Sequence, residues 1–170
     1  MPAVRILESG LASFSYAGYD LTPAATPTDL LTLTAPTGRV LRVRSVTISG
    51  IATTAGVMPF SLIKRTEANT AGTSTAPTPA KLDKDDAAAA VGVLALYTAN
   101  ASSLGAGTTL KTRRVFMNLA TAQPDRWVVN FGQDGMKPLK LAPGEMLAIN
   151  GNGAALPAGS KFDLGIEWTE

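Results

Sequence analysis

Histidine and cysteine are both absent from the 170 residues. Without histidine the chain lacks the commonest general base and the commonest nitrogen ligand for zinc, copper or iron, so catalytic-triad and zinc-hydrolase readings fail. Without cysteine it has no disulfide framework, thiolate metal site or cysteine nucleophile. Aromatic residues are sparse, with two Trp, three Tyr and five Phe, which leaves Val, Leu and Ile to build the core. No apolar run reaches the roughly 18 residues needed to span a bilayer. The opening "MPAVRILESGLASFSYAG" has no basic segment followed by an apolar one, so a soluble chain without signal-directed export is expected. Charge is also scarce: 15 Lys and Arg against 13 Asp and Glu give a net +2, too little to imply nucleic acid.

What is abundant is small residues and turn formers, including 16 Gly and 11 Pro, between short apolar runs. Such spacing predicts many short strands. "TDLLTLTAP" (28–36), "RVLRVRSVTISG" (39–50), "VMPFSLIKR" (57–65), "VGVLALYT" (91–98), "LKTRRVFM" (110–117) and "RWVVNFG" (126–132) all have strand length. In the second, Leu41 and Val43 have the opposite parity to Val46 and Ile48, so a bulge near Arg44 and Ser45 is needed to put all four on the core side. Pro59 predicts an edge or a strand start. "KPLKLAPGEMLAINGNG" (137–153) reads as two short strands joined by a type II turn at Pro143 and Gly144. In the last segment Phe162, Leu164, Ile166 and Trp168 alternate strictly with Lys161, Asp163, Gly165 and Glu167, which marks one dry and one wet face. The fold class expected is all-β: a single antiparallel β-sandwich, jelly-roll-like, with about eight or nine strands and long loops. Residues 1–27 are expected as an N-terminal arm and residues 28–170 as the sandwich domain. A long insert loop falls at 66–90, where the alanines after "KLDKDD" form at most a brief helical turn.

Candidate chemistry is thin. A glycosidase needs two facing carboxylates, but Asp125, Asp134, Asp163 and Glu167 sit near turns or on wet strand faces. "DKDD" (83–86) lacks the glycine and glutamate of a calcium loop, because Ala88 and Leu94 occupy those positions. "GNGAALPAG" (151–159) has neither the lysine nor the strand-to-helix setting of a phosphate cradle. "RVLRVR" and "KTRR" are read as solvated strand faces. Trp127 and Trp168 lie within alternating apolar strands and, with Phe162, Leu164 and Ile166, mark the core. The expectation is a protein that is not an enzyme and has no catalytic residues, cofactor or metal.

The run "LIKRTEANTAGTSTAPTPAKLDKDDAAAAVGVLALYTANASSLGAG", then "PLKLAPGEMLAING" and the terminal "FDLGIEWTE", resembles a group of small virion proteins of tailed bacteriophages. In that group an Arg-rich strand end leads into "ANT.GTST.PT", an Ala-rich acidic stretch and "YTAN", and the chain ends in a strand with Trp followed by acidic residues. The resemblance covers roughly residues 60–170 and implies a structural role in the phage particle, with capsid decoration or cement the commonest assignment. The partners implied are the major capsid protein and copies of the chain itself, as a dimer or trimer, with no nucleic acid and no membrane. The location implied is the virion, assembled in the host cytoplasm. The alternative is a tail or fibre module that binds a host glycan or another tail protein, suggested by "YTANASS" and "NGNG". Extended Thr, Ser, Ala and Pro segments order at small side-chain entropy cost and can pair through their backbones. Candidate partner contacts are therefore Thr66, Asn69, Thr70, Thr73, Thr75, Pro77, Pro79 and Leu82 in the insert, and Phe14, Tyr16 and Tyr19 in the arm.

Overall fold

The computed structural model describes residues 11–90, 93–119, 124–133 and 137–170. Among them are twelve strands and no helix: β1 (Ser13–Leu21), β2 (Asp29–Thr34), β3 (Leu41–Ala52), β4 (Gly56–Arg65), β5 (Thr73–Thr75), β6 (Ala80–Lys81), β7 (Leu94–Ala99), β8 (Gly107–Leu119), β9 (Arg126–Asn130), β10 (Leu139–Leu141), β11 (Met146–Asn150) and β12 (Lys161–Thr169). They form one curled, mixed sheet in the order β5-β7-β2-β11-β4-β8-β3-β12-β1-β6, with β9 and β10 beside β3. The chain is all-β, as expected. Its strands outnumber the expected eight or nine by β1, in the segment read as an arm, and by β5 and β6, which hold only two or three residues each, too few for alternation to register.

The sheet has two wings. One runs from β5 to β8 and the other from β3 to β6, and the described pairings within each wing are antiparallel. Between them stands a short parallel step, Ile51↔Asn118 and Ala52↔Leu119, where β8 meets β3. The curl brings the wings into contact: Phe60 of β4 packs edge-on against Phe162 of β12, ring centroids 5.6 Å apart. Both rings are fully buried, and each such side chain contributes roughly 1.5–3 kcal/mol.

β3 is the hub of its wing. One edge carries β12 from Arg42 to Ile51; the other carries β10, then β9, then β8. This works because of the bulge that the sequence requires. The pairing steps from Glu167↔Ser45 to Trp168↔Val43, which leaves Arg44 as the extra, exposed residue. Leu41, Val43, Val46 and Ile48 all reach the core. On β12, Phe162, Leu164, Ile166 and Trp168 are buried, and Trp127 of β9 joins them. Pro59 lies inside β4 next to β8, at a level where the pairing of β4 with β11 has already ended at Ser61, so it occupies a local edge.

Residues 13–21 of the segment expected as an arm are a strand of the sheet, paired with β12 from Ser13↔Thr169 to Leu21↔Phe162. Phe14 lies directly opposite Trp168, ring centroids 5.7 Å apart. Residues 1–10 of that segment lie outside the described residues. The insert differs from the free loop expected, because β5 and β6 form within it. No helical turn follows the acidic residues up to Ala90: Asp86 N–H donates to the Asp83 carbonyl and Asp85 N–H to the Asp83 carboxylate, closing turns there instead.

β10 and β11 are joined by the expected turn. Glu145 N–H donates to the Ala142 carbonyl at 2.9 Å, and Gly144 has φ 84°, the left-handed value that a type II turn demands at its third residue. The two strands do not pair with each other; the turn carries the chain from one wing to the other. The Glu145 carboxylate takes a 2.7 Å contact from Lys64 and accepts a 2.7 Å bond from Ala142 N–H. The Lys64 hydrogen bond first, and the backbone bond second, hold its pKa below the ordinary carboxylate value.

Two measurements test this account. Deleting Arg44 removes the bulge and leaves Leu41, Val43, Val46 and Ile48 alternating on one face, so it is expected to cost no more than about 1 kcal/mol, for the Phe131 N–H bond to the Arg44 carbonyl. Deleting Arg42 instead turns Leu41 or Val43 outward and should cost several kcal/mol in urea unfolding, whereas Arg44→Ala stays within about 0.5 kcal/mol. Because the folded pKa of Glu145 is depressed, its contribution is fully present above the unfolded pKa and is lost as pH falls through the folded one. Melting temperatures of wild type and Glu145→Gln should therefore differ at neutral pH, wild type higher, and converge in the acid limb.

Candidate functional site

The insert is anchored at its root by a buried charge. A register shift in the β2–β11 pairing leaves Leu30 unpaired and sets Asp29 opposite Asn150. Arg65, at the end of β4, grips Asp29 with the Nε–Nη2 edge of its guanidinium: Nε donates to Oδ2 at 2.9 Å and Nη2 to Oδ1 at 2.8 Å. Asn150 Nδ2 and Asn69 Nδ2 add bonds of 2.6 and 2.7 Å, so the carboxylate accepts four donors. Arg65 Nη1 donates to the Gly105 carbonyl at 2.7 Å, and Gly105 N–H donates to Asn69 Oδ1 at 3.1 Å. Asp29, Arg65 and Asn150 are all buried. Bidentate geometry and full saturation are what make a buried ion pair tolerable. Gly105 is required here, since a Cβ would fall 2.0 Å from the Glu67 carbonyl oxygen.

From this anchor the insert follows the surface to one end of the sheet and then to the other. Thr66 N–H donates to the Ala106 carbonyl, and Thr70 bridges to Ser103. Ala71 and Gly72 take φ of 54° and 88° and turn the chain into β5, which pairs with β7 at one end of the strand order. Ala76, Pro77, Thr78 and Pro79 then cross to β6, which pairs with Phe14 and Ser15 of β1 at the other end. Five residue steps from Thr75 to Ala80 reach at most about 17 Å, which bounds the gap between the two edges. Beyond β6, Leu82 N–H donates to the Ser13 carbonyl and Ser13 N–H to the Asp86 carboxylate. Lys81 Nζ donates to the carbonyls of Lys84 and Asp86. The insert is thus a strap that ties together the two ends of the curled sheet.

The residues proposed from sequence as partner contacts are divided by this geometry. Thr66, Thr70, Thr73, Thr75 and Leu82 are exposed, Leu82 at 59% and Tyr19 of β1 at 80%. Pro77 and Pro79 are half-buried. Asn69 points inward with both ends of its amide bonded within the chain, and Phe14 is 1% exposed. Tyr16 is half-buried on the core side of β1 and burial raises its phenol pKa. The anchor escaped sequence reading; its only signals were an aspartate opening the apolar run of β2 and an arginine closing that of β4.

The carboxylates weighed for catalysis serve structural partners. Asp125 accepts from Arg113 and from Phe116 N–H, Asp163 from Asp20 N–H, and Glu167 from Ser45 Oγ. Asp134 lies outside the described residues. Among the described residues no group of three acidic side chains converges on a cation position, and no helix is long and apolar enough to cross a membrane. Asn100 and Asn152, from the segments that suggested glycan binding, tie loops together: Asn100 bridges Thr28 N–H and the Thr26 carbonyl, and Asn152 bonds Ser61. A shallow groove of about 490 Å³ does lie over β1, β12 and β3, between Tyr19, Arg126, Asp163 and Glu167.

No family model, curated protein or solved structure matches the chain.

Removing one partner of a buried pair strands the other charge, at a cost of about 3–5 kcal/mol. Asp29→Ala and Arg65→Met are each expected to destabilise by that amount. The double variant should cost at least about 1 kcal/mol less than the sum of the two, because neither stranded charge remains. Chemical unfolding of the four proteins measures the coupling.

Proposed function

We propose that the chain is a non-enzymatic structural protein of a bacteriophage particle. In this reading it binds the outer capsid surface as a decoration or cement protein, as a dimer or trimer that bridges major capsid subunits. The observation that carries the reading is the strap: a run of small, threonine- and proline-rich residues, exposed along most of its length yet tied to both ends of the sheet. A surface ordered in advance costs little further entropy to dock. Prolines 77 and 79 add to this by narrowing the unbound conformations. The same residues carry the sequence resemblance to phage virion proteins. The curl that sets Phe60 against Phe162 supports a jelly-roll-like reading of the fold, with the two wings as its layers. A cement protein works by number, since many modest contacts around a shell add to one large stabilisation.

A second reading, a tail or fibre module that binds a host glycan, rests on the groove between Tyr19, Arg126, Asp163 and Glu167. The two readings part in one experiment. Purified protein added to capsids assembled without it should bind in fixed stoichiometry and raise the temperature of genome release by several degrees. A variant with residues 73–79 replaced by a Gly-Ser linker should keep the fold and lose the binding. Antibody label found on tails and absent from heads would reject the decoration reading.

A further inference from the structure

Among the described residues β8, the longest strand, has a long open edge. β8 pairs with β4 from Gly107 to Met117, but on its other side it meets β3 only at Asn118 and Leu119. Phe116 N–H is taken by the Asp125 carboxylate. From Gly107 to Arg114, therefore, no described strand lies on that side, and every residue of the stretch is exposed. The stretch carries Lys111, Arg113 and Arg114 and has no acidic residue. Lys111 and Arg113 stand opposite Leu62 and Phe60 and so project on the core-facing side of β8; Arg114, opposite Pro59, projects on the other. Arg113 is partly engaged by Asp125 at 3.0 Å; among the described residues neither Lys111 nor Arg114 forms an ion pair with an acidic side chain.

We propose that this edge is a docking site for an extended, acidic segment of a partner protein, which adds to the sheet as a strand beside β8. Backbone N–H and C=O groups on an open edge call for a partner that offers both donors and acceptors, which a strand does. Cations on both faces select its charge: carboxylates at alternate positions meet Lys111 and Arg113, and a further acid on the opposite face meets Arg114. The same cations oppose self-pairing, because a second β8 brings like charges together. Nucleic acid fits less well, since cations divided between two faces form no continuous phosphate track and the edge carbonyls would face phosphates. The proposal is independent of where in a particle the chain sits.

The probe is a blocked peptide of sequence TDVEVDT, at millimolar concentration with the intact protein in 20 mM NaCl. It should slow amide exchange of the outward-facing residues among 108–114 by about tenfold or more, and bind several-fold more weakly at 150 mM NaCl. The same peptide with lysine in place of its acids should do neither. Lys111→Glu/Arg114→Glu, both exposed changes, should retain the melting temperature and abolish the effect. Three results would overturn the proposal: no protection of 108–114 by the acidic peptide; protection of those residues by an oligothymidine and not by the peptide; or dimerisation of Lys111→Thr/Arg114→Thr through β8 while the wild type ignores the peptide, which would make the charges a guard alone.

Discussion

Everything distinctive in this chain hangs from one buried carboxylate. Asp29 is removed from water at a desolvation cost of several kcal/mol, and four donors from three separate segments offset it. An apolar pair of similar volume would fill the space about as favourably. What it would not do is dictate where the chain goes next. Arg65 ends β4, Asn69 lies near the start of the insert and Gly105 lies in the loop from β7 to β8, so satisfying Asp29 ties the exit of the insert to that later loop. A half-satisfied version would be worse than none; the cooperative one sets a single direction for the insert.

That direction matters because an open curled sheet has two ends, each with unpaired backbone groups. The strap pairs with both ends, with β7 through β5 and with Phe14 and Ser15 of β1 through β6. Its composition follows from the task. Because the strap holds to the sheet through backbone hydrogen bonds, its side chains need bury little, and small residues and threonines suffice. Two prolines in the crossing deny the newly exposed strip the donors that a further strand would need. A segment that looks too poor in apolar residues to belong to a folded domain is held by bonds that composition does not report.

Local patterns were legible in the sequence. The alternation of β12, the parity conflict that forces a bulge at Arg44, and the left-handed residue of the turn at Gly144 are properties of a few consecutive residues, and each has one cheap solution. The anchor was illegible because it joins positions 36, 40 and 121 residues apart from Asp29 and partners there. β5 and β6 were illegible because two or three residues carry no period. β1 was missed for a different reason: Phe14 and Tyr16 start an alternation that Gly18 and a left-handed Asp20 interrupt, so the run looked irregular until its pairing with β12 gave it a register. The all-β class followed from strand count alone; the joining of the wings through two parallel residue pairs did not, since nothing in β3 or β8 announces it.

The ends of the strand order and the edge of β8 are finished differently. At the ends, the strap pairs with β7 and with Phe14 and Ser15 of β1, and its stretch from 68 to 80 carries no charged side chain. Along the edge of β8, eight residues from Gly107 to Arg114 have no described strand beside them other than β4. Charge on an edge repels copies of the same edge and admits its complement; a neutral strap discriminates by shape. β8 stands inside the strand order and the strap at its two ends, so the charged edge and the neutral crossing are separate surfaces of one sheet.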